Sequence, residues 1–104
     1  MVNTLTQENF QKEISGQNPI IVDFWASWCG PCRILSPVID ALSEEYEGKI
    51  TVGKVNVDEQ NALAAQFGIV SIPTVIIFKD GKEIKRMIGV HDADDYRDEI
   101  DGVV

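Results

Sequence analysis

One apolar run near the start of the chain constrains the fold more than any other feature. Residues 20–25 read Ile-Ile-Val-Asp-Phe-Trp, and apart from Asp23 they are apolar at odd and even positions alike. Side chains of a strand point alternately to its two faces, so both faces of this strand must be covered. The run therefore predicts a buried strand with packed elements on both sides of the sheet.

The segments after this strand alternate between helical and extended patterns. A helix is predicted from the cysteine-containing segment at 29–32 towards Gly48, which would end it. Its inward face would be formed by Leu35, Val38, Ile39, Leu42 and Tyr46. A second strand is predicted over residues 50–57. Strand, helix and strand in this order form a parallel pair with a right-handed crossover.

A short helix is predicted before this buried strand, and the pattern also allows a short strand before that helix. Thr6 would be the N-cap, and Leu5 and Phe10 would pack together as a hydrophobic staple across the first turn. The helix would end near Ser15 and Gly16. This segment would add a helix to one face of the sheet.

The second half of the chain contains shorter elements. A compact helix is predicted over residues 61–67, and Gly68 would close it. Two strands over 74–78 and 83–88 follow, separated by Asp80-Gly81. An Asp-Gly pair between two such strands is typical of a tight β-hairpin.

The last elements complete the fold prediction. Gly89 would break the second hairpin strand, and a final helix is predicted over residues 92–100. The inward residues of the compact helix and of this final helix would be Ala62, Leu63, Phe67, Ala93, Tyr96 and Ile100. The order of elements predicts a single α/β domain over residues 1–104, with a central mixed β-sheet flanked by helices on both faces.

Charge and composition exclude several classes of function. The chain has 9 basic and 17 acidic residues and a net charge of −8, which argues against binding to nucleic acid or to an anionic membrane. The longest unbroken aliphatic or aromatic run, at 75–78, is far shorter than a bilayer requires. The first residues lack a basic region followed by an apolar stretch, so we expect no secretory signal.

The chemistry of the chain is concentrated in Cys29-Gly30-Pro31-Cys32. The motif follows a strand and opens a helix, and Pro31 suits a first helical turn because its missing N–H is not needed there. Cys29 would lie at the helix N-terminus, where unpaired N–H groups and the helix dipole stabilise a thiolate. Cys32, one turn deeper, would be shielded. The pair therefore predicts a redox-active centre with an exposed nucleophile and a resolving thiol.

A purely structural role for the two cysteines is less consistent with their spacing. A structural disulfide across so short a loop would add little stability, because the stabilisation grows with loop length. A structural zinc site needs about four ligands, and the chain has only two cysteines and one histidine, His91. We therefore predict no metal site and no cofactor.

These residues resemble the thioredoxin family over nearly the whole chain. The matching segments are 22–32 (VDFWASWCGPC), 54–58 (KVNVD), 67–69 (FGI), 72–74 (IPT) and 78–81 (FKDG). The resemblance implies the thioredoxin fold and a cytoplasmic thiol-disulfide oxidoreductase that reduces protein disulfides and carries electrons. It also implies recycling by a thioredoxin reductase, with disulfide-containing proteins as substrates. We expect the protein to act as a monomer.

The resemblance also implies roles for individual residues. The Cys29 thiolate would attack a substrate disulfide, and Cys32 would resolve the mixed disulfide. Asp23 would be a buried carboxyl that takes the proton of Cys32, directly or through a water, unless it is a solvated residue at a strand edge. Lys54 would offset part of the Asp23 charge, unless it is a plain solvated charge.

A peptide groove beside the cysteines is implied in the same way. Ile72-Pro73 would be a cis peptide that exposes the Ile72 backbone to a substrate segment, and Gly89 would line the groove. Trp28 would cover the site with a partly exposed ring, whereas Trp25 would belong to the core. The predicted substrate-binding set is Trp28, Gly30, Pro31, Ile72, Pro73 and Gly89.

The chain departs from the family pattern at two places. Arg33 replaces the usual lysine after the second cysteine, and residues 92–101 carry six acids and one Arg. The acids indicate a solvated acidic face, weaker packing of this helix, or selection of a basic partner. Alternatives to a reductase are an oxidase or isomerase on the same fold, and a docking subunit without turnover.

Overall fold

The computed structural model describes residues 2–104, and this part of the chain forms five strands and four helices. The strands are β1 (Val2–Thr4), β2 (Ile20–Trp25), β3 (Thr51–Asn56), β4 (Thr74–Lys79) and β5 (Lys82–Ile88). The helices are α1 (Phe10–Ile14), α2 (Gly30–Glu45), α3 (Asn61–Gln66) and α4 (Ala93–Asp101). All elements predicted from the sequence are present, including the short first strand.

The strands form one mixed sheet with the order β1-β3-β2-β4-β5. β3 runs parallel to both β1 and β2, whereas β4 runs antiparallel to β2 and β5. The apolar run at Ile20–Trp25 is buried, as its pattern predicted, and the structure shows that it is the central strand. Its two neighbours in the sheet, β3 and β4, both lie more than 20 residues after it in the chain. The helices that cover its faces come from both halves of the chain.

Helices cover both faces of the sheet, which confirms the predicted fold class. Along β2, Ile21 packs in the apolar cluster that contains side chains of α2 and α4. The alternate residues Ile20, Val22 and Phe24 pack in a second cluster with α1 and α3. Asp23 has the same parity as Ile21, so its side chain belongs to the face covered by α2 and α4.

The first helix differs from its prediction at its start. It begins at Phe10, and Asn9 rather than Thr6 precedes it. Residues 6–9 form a turn in which the Asn9 side-chain oxygen accepts from the Thr6 N–H at 2.8 Å, and the Phe10 N–H donates to the Thr6 carbonyl at 2.9 Å. Thr6 is therefore not the N-cap, because an asparagine side chain three residues later stabilises a separate turn.

One residue of α3, Ala62, was wrongly predicted to point inward. Ala62 is exposed, because the short α3 has room for a single inward row, which Leu63 occupies with Phe67 four residues later.

The hairpin was predicted correctly. Asp80 and Gly81 have φ values of 54° and 79°, the left-handed values that a tight hairpin turn requires. No helix in residues 2–104 is long and apolar enough to cross a membrane.

Candidate active site

The cysteine pair lies where the central strand passes into α2. Cys29 is the N-cap of that helix with an extended backbone, and Gly30 and Pro31 occupy its first two positions. Cys29 and Cys32 form a disulfide, with their Cα atoms 5.3 Å apart. The motif therefore sits at the carboxyl end of the central strand, the edge at which open α/β sheets carry their sites.

Backbone dipoles at the start of α2 point at the Cys29 sulfur. The Cys32 N–H donates to Cys29 Sγ at 3.2 Å. The first N–H groups of a helix have no partner within the helix, and their dipoles favour negative charge. The predicted position of Cys29 at the helix N-terminus is confirmed, and the Cys32 N–H lies where it would favour a thiolate on a reduced Cys29.

The sequence predicted an exposed Cys29 and a shielded Cys32, but both cysteines are buried in this structure. Cys29 is 5% exposed and Cys32 is 3% exposed in this disulfide form, so the expected exposed nucleophile is wrong for the oxidised protein. The disulfide holds Cys29 inward, against Ala26 and the half-buried Ile72. The two sulfurs differ instead in their surroundings, because Cys29 lies next to the Ile72 backbone and Cys32 lines an internal cavity.

Asp23 is a buried carboxyl that shares this cavity with Cys32. The residue is 1% exposed, and neither carboxyl oxygen has a hydrogen-bond partner in the described part of the chain. Burial raises the pKa of Asp23 to about 6, while the nearby Lys54 charge lowers it and Asp40 raises it. The solvated alternative for Asp23 is therefore wrong.

The cavity between β2, β3 and α2 has a volume of about 110 Å³. Its lining consists of Asp23, Trp25, Cys32, Arg33, Ser36 and Lys54. Its polar groups come from Asp23, Ser36 and Lys54, and the volume is large enough to hold water between Cys32 and Asp23. Trp25 is only half-buried and forms one wall, which corrects its assignment to the core.

Lys54 faces the cavity but binds groups other than Asp23. Its ammonium donates to Ser36 Oγ at 2.6 Å and pairs with Asp40 Oδ1 at 3.2 Å. The Lys54 side chain is 20% exposed, so it is not a freely solvated surface charge. Its effect on Asp23 is electrostatic and acts across the cavity.

Three of the predicted groove residues, Ile72, Pro73 and Gly89, lie together on the Cys29 side of the disulfide. The Ile72–Pro73 peptide is cis, as expected, and the Ile72 carbonyl oxygen lies 3.8 Å from Cys29 Sγ. The Gly89 N–H donates to the Pro73 carbonyl at 2.9 Å. Gly89 has φ 84°, which side chains rarely adopt, and a Cβ added there would point into open space. This segment therefore presents bare backbone beside the sulfur.

Trp28 lies at the rim of the site and is held by a residue that the sequence did not single out. Its side chain is 68% exposed, and its indole Nε1–H donates to Asp58 Oδ2 at 2.8 Å. Asp58 follows β3 at the same sheet edge as the cysteines. A carboxylate just after a strand that ends at this edge is the signal that would have identified it.

Two further polar residues of the site, Ser36 and Asp40, were also missed. They follow Cys32 at intervals of four residues on α2, a spacing that places all three on one stripe of the helix. A polar stripe continuing from a cysteine is the sequence signal that was available. Within residues 2–104, no group of three or more His, Cys, Asp or Glu side chains is arranged to hold a metal ion.

Comparison with known proteins identifies relatives of the whole domain. The family model described as Thioredoxin matches residues 1–102. The chain is 54% identical over 86 residues to a thioredoxin of Alicyclobacillus acidocaldarius subsp. acidocaldarius, covering 83% of this chain and 82% of that protein. It is 49% identical over 89 residues to a thioredoxin of Porphyra purpurea, covering 85% of this chain and 83% of the relative. A thioredoxin of Chlorobaculum thiosulfatiphilum is 53% identical over 85 residues, which cover 81% of this chain and 79% of that protein.

Proposed function

The chain belongs to the thioredoxin family and is a thiol-disulfide oxidoreductase that reduces protein disulfides, and from this premise we propose that Cys29 is its nucleophile and Cys32 its resolving thiol. The observation that carries this assignment is the Cys32 N–H directed at Cys29 Sγ at the N-terminus of α2. A donor in that position favours the thiolate on Cys29, and a thiolate is the species that attacks disulfides.

The first half of the reaction uses the reduced form. The Cys29 thiolate attacks one sulfur of a substrate disulfide, the substrate S–S bond breaks, and the leaving thiolate takes up a proton from solvent. A mixed disulfide then joins Cys29 to the substrate. The Ile72 carbonyl, 3.8 Å from Cys29 Sγ, lies where the backbone of a bound substrate segment would pass.

The second half releases the substrate. Cys32 loses its proton to the Asp23 carboxylate through the cavity that both residues line, and its thiolate attacks Cys29 Sγ. The mixed disulfide breaks, the substrate leaves with two electrons gained in total, and the Cys29–Cys32 disulfide remains. A pKa of about 6 suits Asp23 for this step, since the group is mostly ionised at neutral pH yet holds a proton readily.

Substrate segments bind along the groove on the Cys29 side. Ile72 offers a backbone carbonyl for strand-like hydrogen bonding, and Pro73 and Gly89 keep the groove free of side chains. Gly30 and Pro31 form the lip above the disulfide, and Trp28 supplies an exposed apolar wall. These residues are the proposed substrate-binding set.

The partners and compartment follow from family membership and charge. We assign disulfide-containing proteins as substrates and a thioredoxin reductase as the source of electrons. A cytoplasmic monomer fits a chain of net charge −8, because a net charge far from zero keeps proteins dissolved and apart. The same charge argues against nucleic acid and anionic membranes as partners.

A trapping experiment tests the assignment of the two thiols. Cys32→Ser should accumulate a covalent complex with a reporter disulfide protein such as insulin, because Cys29 attacks and nothing resolves the product. Cys29→Ser, the matched control, should form no complex. Complex formation by Cys29→Ser alone would reverse the roles, and absence of insulin reduction by the parent protein with a chemical reductant would favour a docking subunit.

A further inference from the structure

Lys54 lies beside Asp23 but does not bind it. The two residues are register partners on neighbouring strands, and their side chains line the same cavity. The Lys54 ammonium instead contacts Ser36 Oγ at 2.6 Å and Asp40 Oδ1 at 3.2 Å. Both Asp23 oxygens are without a hydrogen-bond partner in the described residues. The position of the cation nearest to this buried carboxyl is therefore set by other side chains.

The two residues that bind the ammonium hold it from different sides. Ser36 lines the cavity together with Cys32, which lies one helical turn before Ser36 on α2. Asp40 follows one turn later, and its side chain is 58% exposed. Ser36 thus contacts the ammonium from within the cavity, whereas Asp40 contacts it from the solvent side.

We propose that Ser36, which lines the cavity, and Asp40, which is exposed to solvent, are positioning residues that hold the Lys54 ammonium and so set how readily Asp23 accepts a proton from Cys32. This inference rests on the proposed function of Asp23. Without Ser36, the remaining partner Asp40 draws the ammonium outwards, away from Asp23. Without Asp40, the ammonium stays against Ser36, and one negative charge near Asp23 is gone.

The electrostatics of Asp23 give the direction of each effect. The Lys54 charge lowers the pKa of Asp23, and the Asp40 charge raises it. Arg33 also lines the cavity, and Tyr96 of α4 interacts with Asp23 from the same face of the sheet, but the two tethering contacts involve neither. Loss of Ser36 should therefore raise the pKa of Asp23, and loss of Asp40 should lower it.

The first experiment measures the Asp23 carboxyl titration by ¹³C NMR in the oxidised protein. We expect Ser36→Ala to raise the pKa by about 0.5 and Asp40→Asn to lower it by about 0.5 or more, the size of an interaction between charges several ångströms apart in a partly solvated site. Glu44→Gln removes the same charge from the next turn of α2, where the side chain is exposed, and should change the pKa much less. No shift, or shifts of the same sign in both variants, would overturn the proposal.

A double-mutant cycle tests whether Ser36 acts through Lys54. In a Lys54→Met background the ammonium is absent, so adding Ser36→Ala should leave the Asp23 titration unchanged. An undiminished effect of Ser36→Ala in that background would mean that the hydroxyl acts on Asp23 directly, which contradicts the proposal. Circular dichroism of each variant checks that the fold is kept.

The release kinetics separate this inference from the proposed function. The pH dependence of mixed-disulfide resolution, measured by stopped-flow mixing, should shift with the Asp23 titration in both variants. Titration shifts without a matching kinetic shift would reject Asp23 as the proton acceptor while keeping the tether. Absent titration shifts would reject the tether, whatever the kinetics of release.

Discussion

The two faces of the sheet have opposite character, although one strand supplies both. On the α1 and α3 face, all four phenylalanines of the chain meet, with ring centroids 5.1–6.2 Å apart. On the α2 and α4 face, Asp23 interrupts the apolar packing, and a polar cavity opens beside it. The aromatic face contributes stability without chemistry, whereas the cavity face gives up stability to hold an ionisable group.

The largest expected effect is on the aromatic face. Phe78→Ala should lower the free energy of unfolding by about 3–5 kcal/mol, because the ring is 1% exposed and contacts two other rings. Denaturant titration measures the loss. The matched control, Ile84→Ala on the exposed side of β5, should change it by less than about 0.5 kcal/mol. Disulfide reduction by the folded variant should be unchanged, and a specific loss of activity would break the division between the faces.

A substitution on the cavity face should act in the opposite direction. The pKa of Asp23 is raised from 3.8 to about 6 in the folded protein, so folding is opposed at any pH where the free carboxyl is ionised. Asp23→Asn should therefore raise the free energy of unfolding by up to about 3 kcal/mol above pH 6. The gain should shrink as pH falls from 6 and vanish below about pH 4, where both states of the parent are protonated.

Thermal or denaturant unfolding across pH 3–8 measures this difference. Asp98→Asn, at an exposed position of α4, serves as the control and should give a nearly pH-independent change. The same Asp23→Asn variant should attack substrate disulfides normally but release them slowly. A stability gain that persists at pH 3 would show that hydrogen bonding or packing, and not desolvation of charge, distinguishes the two faces.

The two thiols should differ in reactivity although the oxidised protein buries both. In the reduced protein at neutral pH, brief treatment with iodoacetamide should label Cys29 about ten times faster than Cys32, because only Cys29 has the helix N–H donor. Peptide mass spectrometry reads out the labelled site. Equal labelling would mean that this backbone contact does not control thiolate formation.

The smallest effect is expected for the acidic helix. Arg97 ties α4 to α2 by binding Glu45 and Asp94, so Asp94 is left in place. Neutralising Asp95, Asp98 and Glu99 should leave reduction of a small disulfide unchanged and alter the association rate with a large charged partner by about two- to threefold at low salt. The difference should fade at physiological salt. An equal loss with both substrates would show that α4 supports the site structurally.

Periodicity predicted the elements better than it predicted individual contacts. The run at Ile20–Trp25 was enough to predict a buried strand, because a strand that is apolar on both faces must be covered on both. Thr6 and Ala62 were misassigned, since an Asn9 side chain and a neighbouring Leu63 decided between local options of similar energy. Such choices depend on side-chain geometry that spacing does not encode.

The candidate site divides along the same line. Asp23 could be identified because it interrupts an apolar strand, and the cysteines because two thiols three positions apart open a helix after that strand. Ser36 and Asp40 were missed because a polar stripe is ordinary on a helix face, and spacing does not show that a side chain of another element contacts it. Their partner Lys54 is 18 residues beyond Ser36, on a different strand.

The position of β2 in the sheet also bears on how the protein folds. Ile21 pairs with Val52 on one side and with Ile77 on the other, so neither contact forms early along the chain. Closing loops of this length before any strand pairing is gained makes folding slower than in proteins with mainly local contacts. During synthesis the two cysteines leave the ribosome well before the hairpin that completes their surroundings. The backbone of Ile72 and Gly89 is therefore in place beside Cys29 only after the last two strands have joined the sheet.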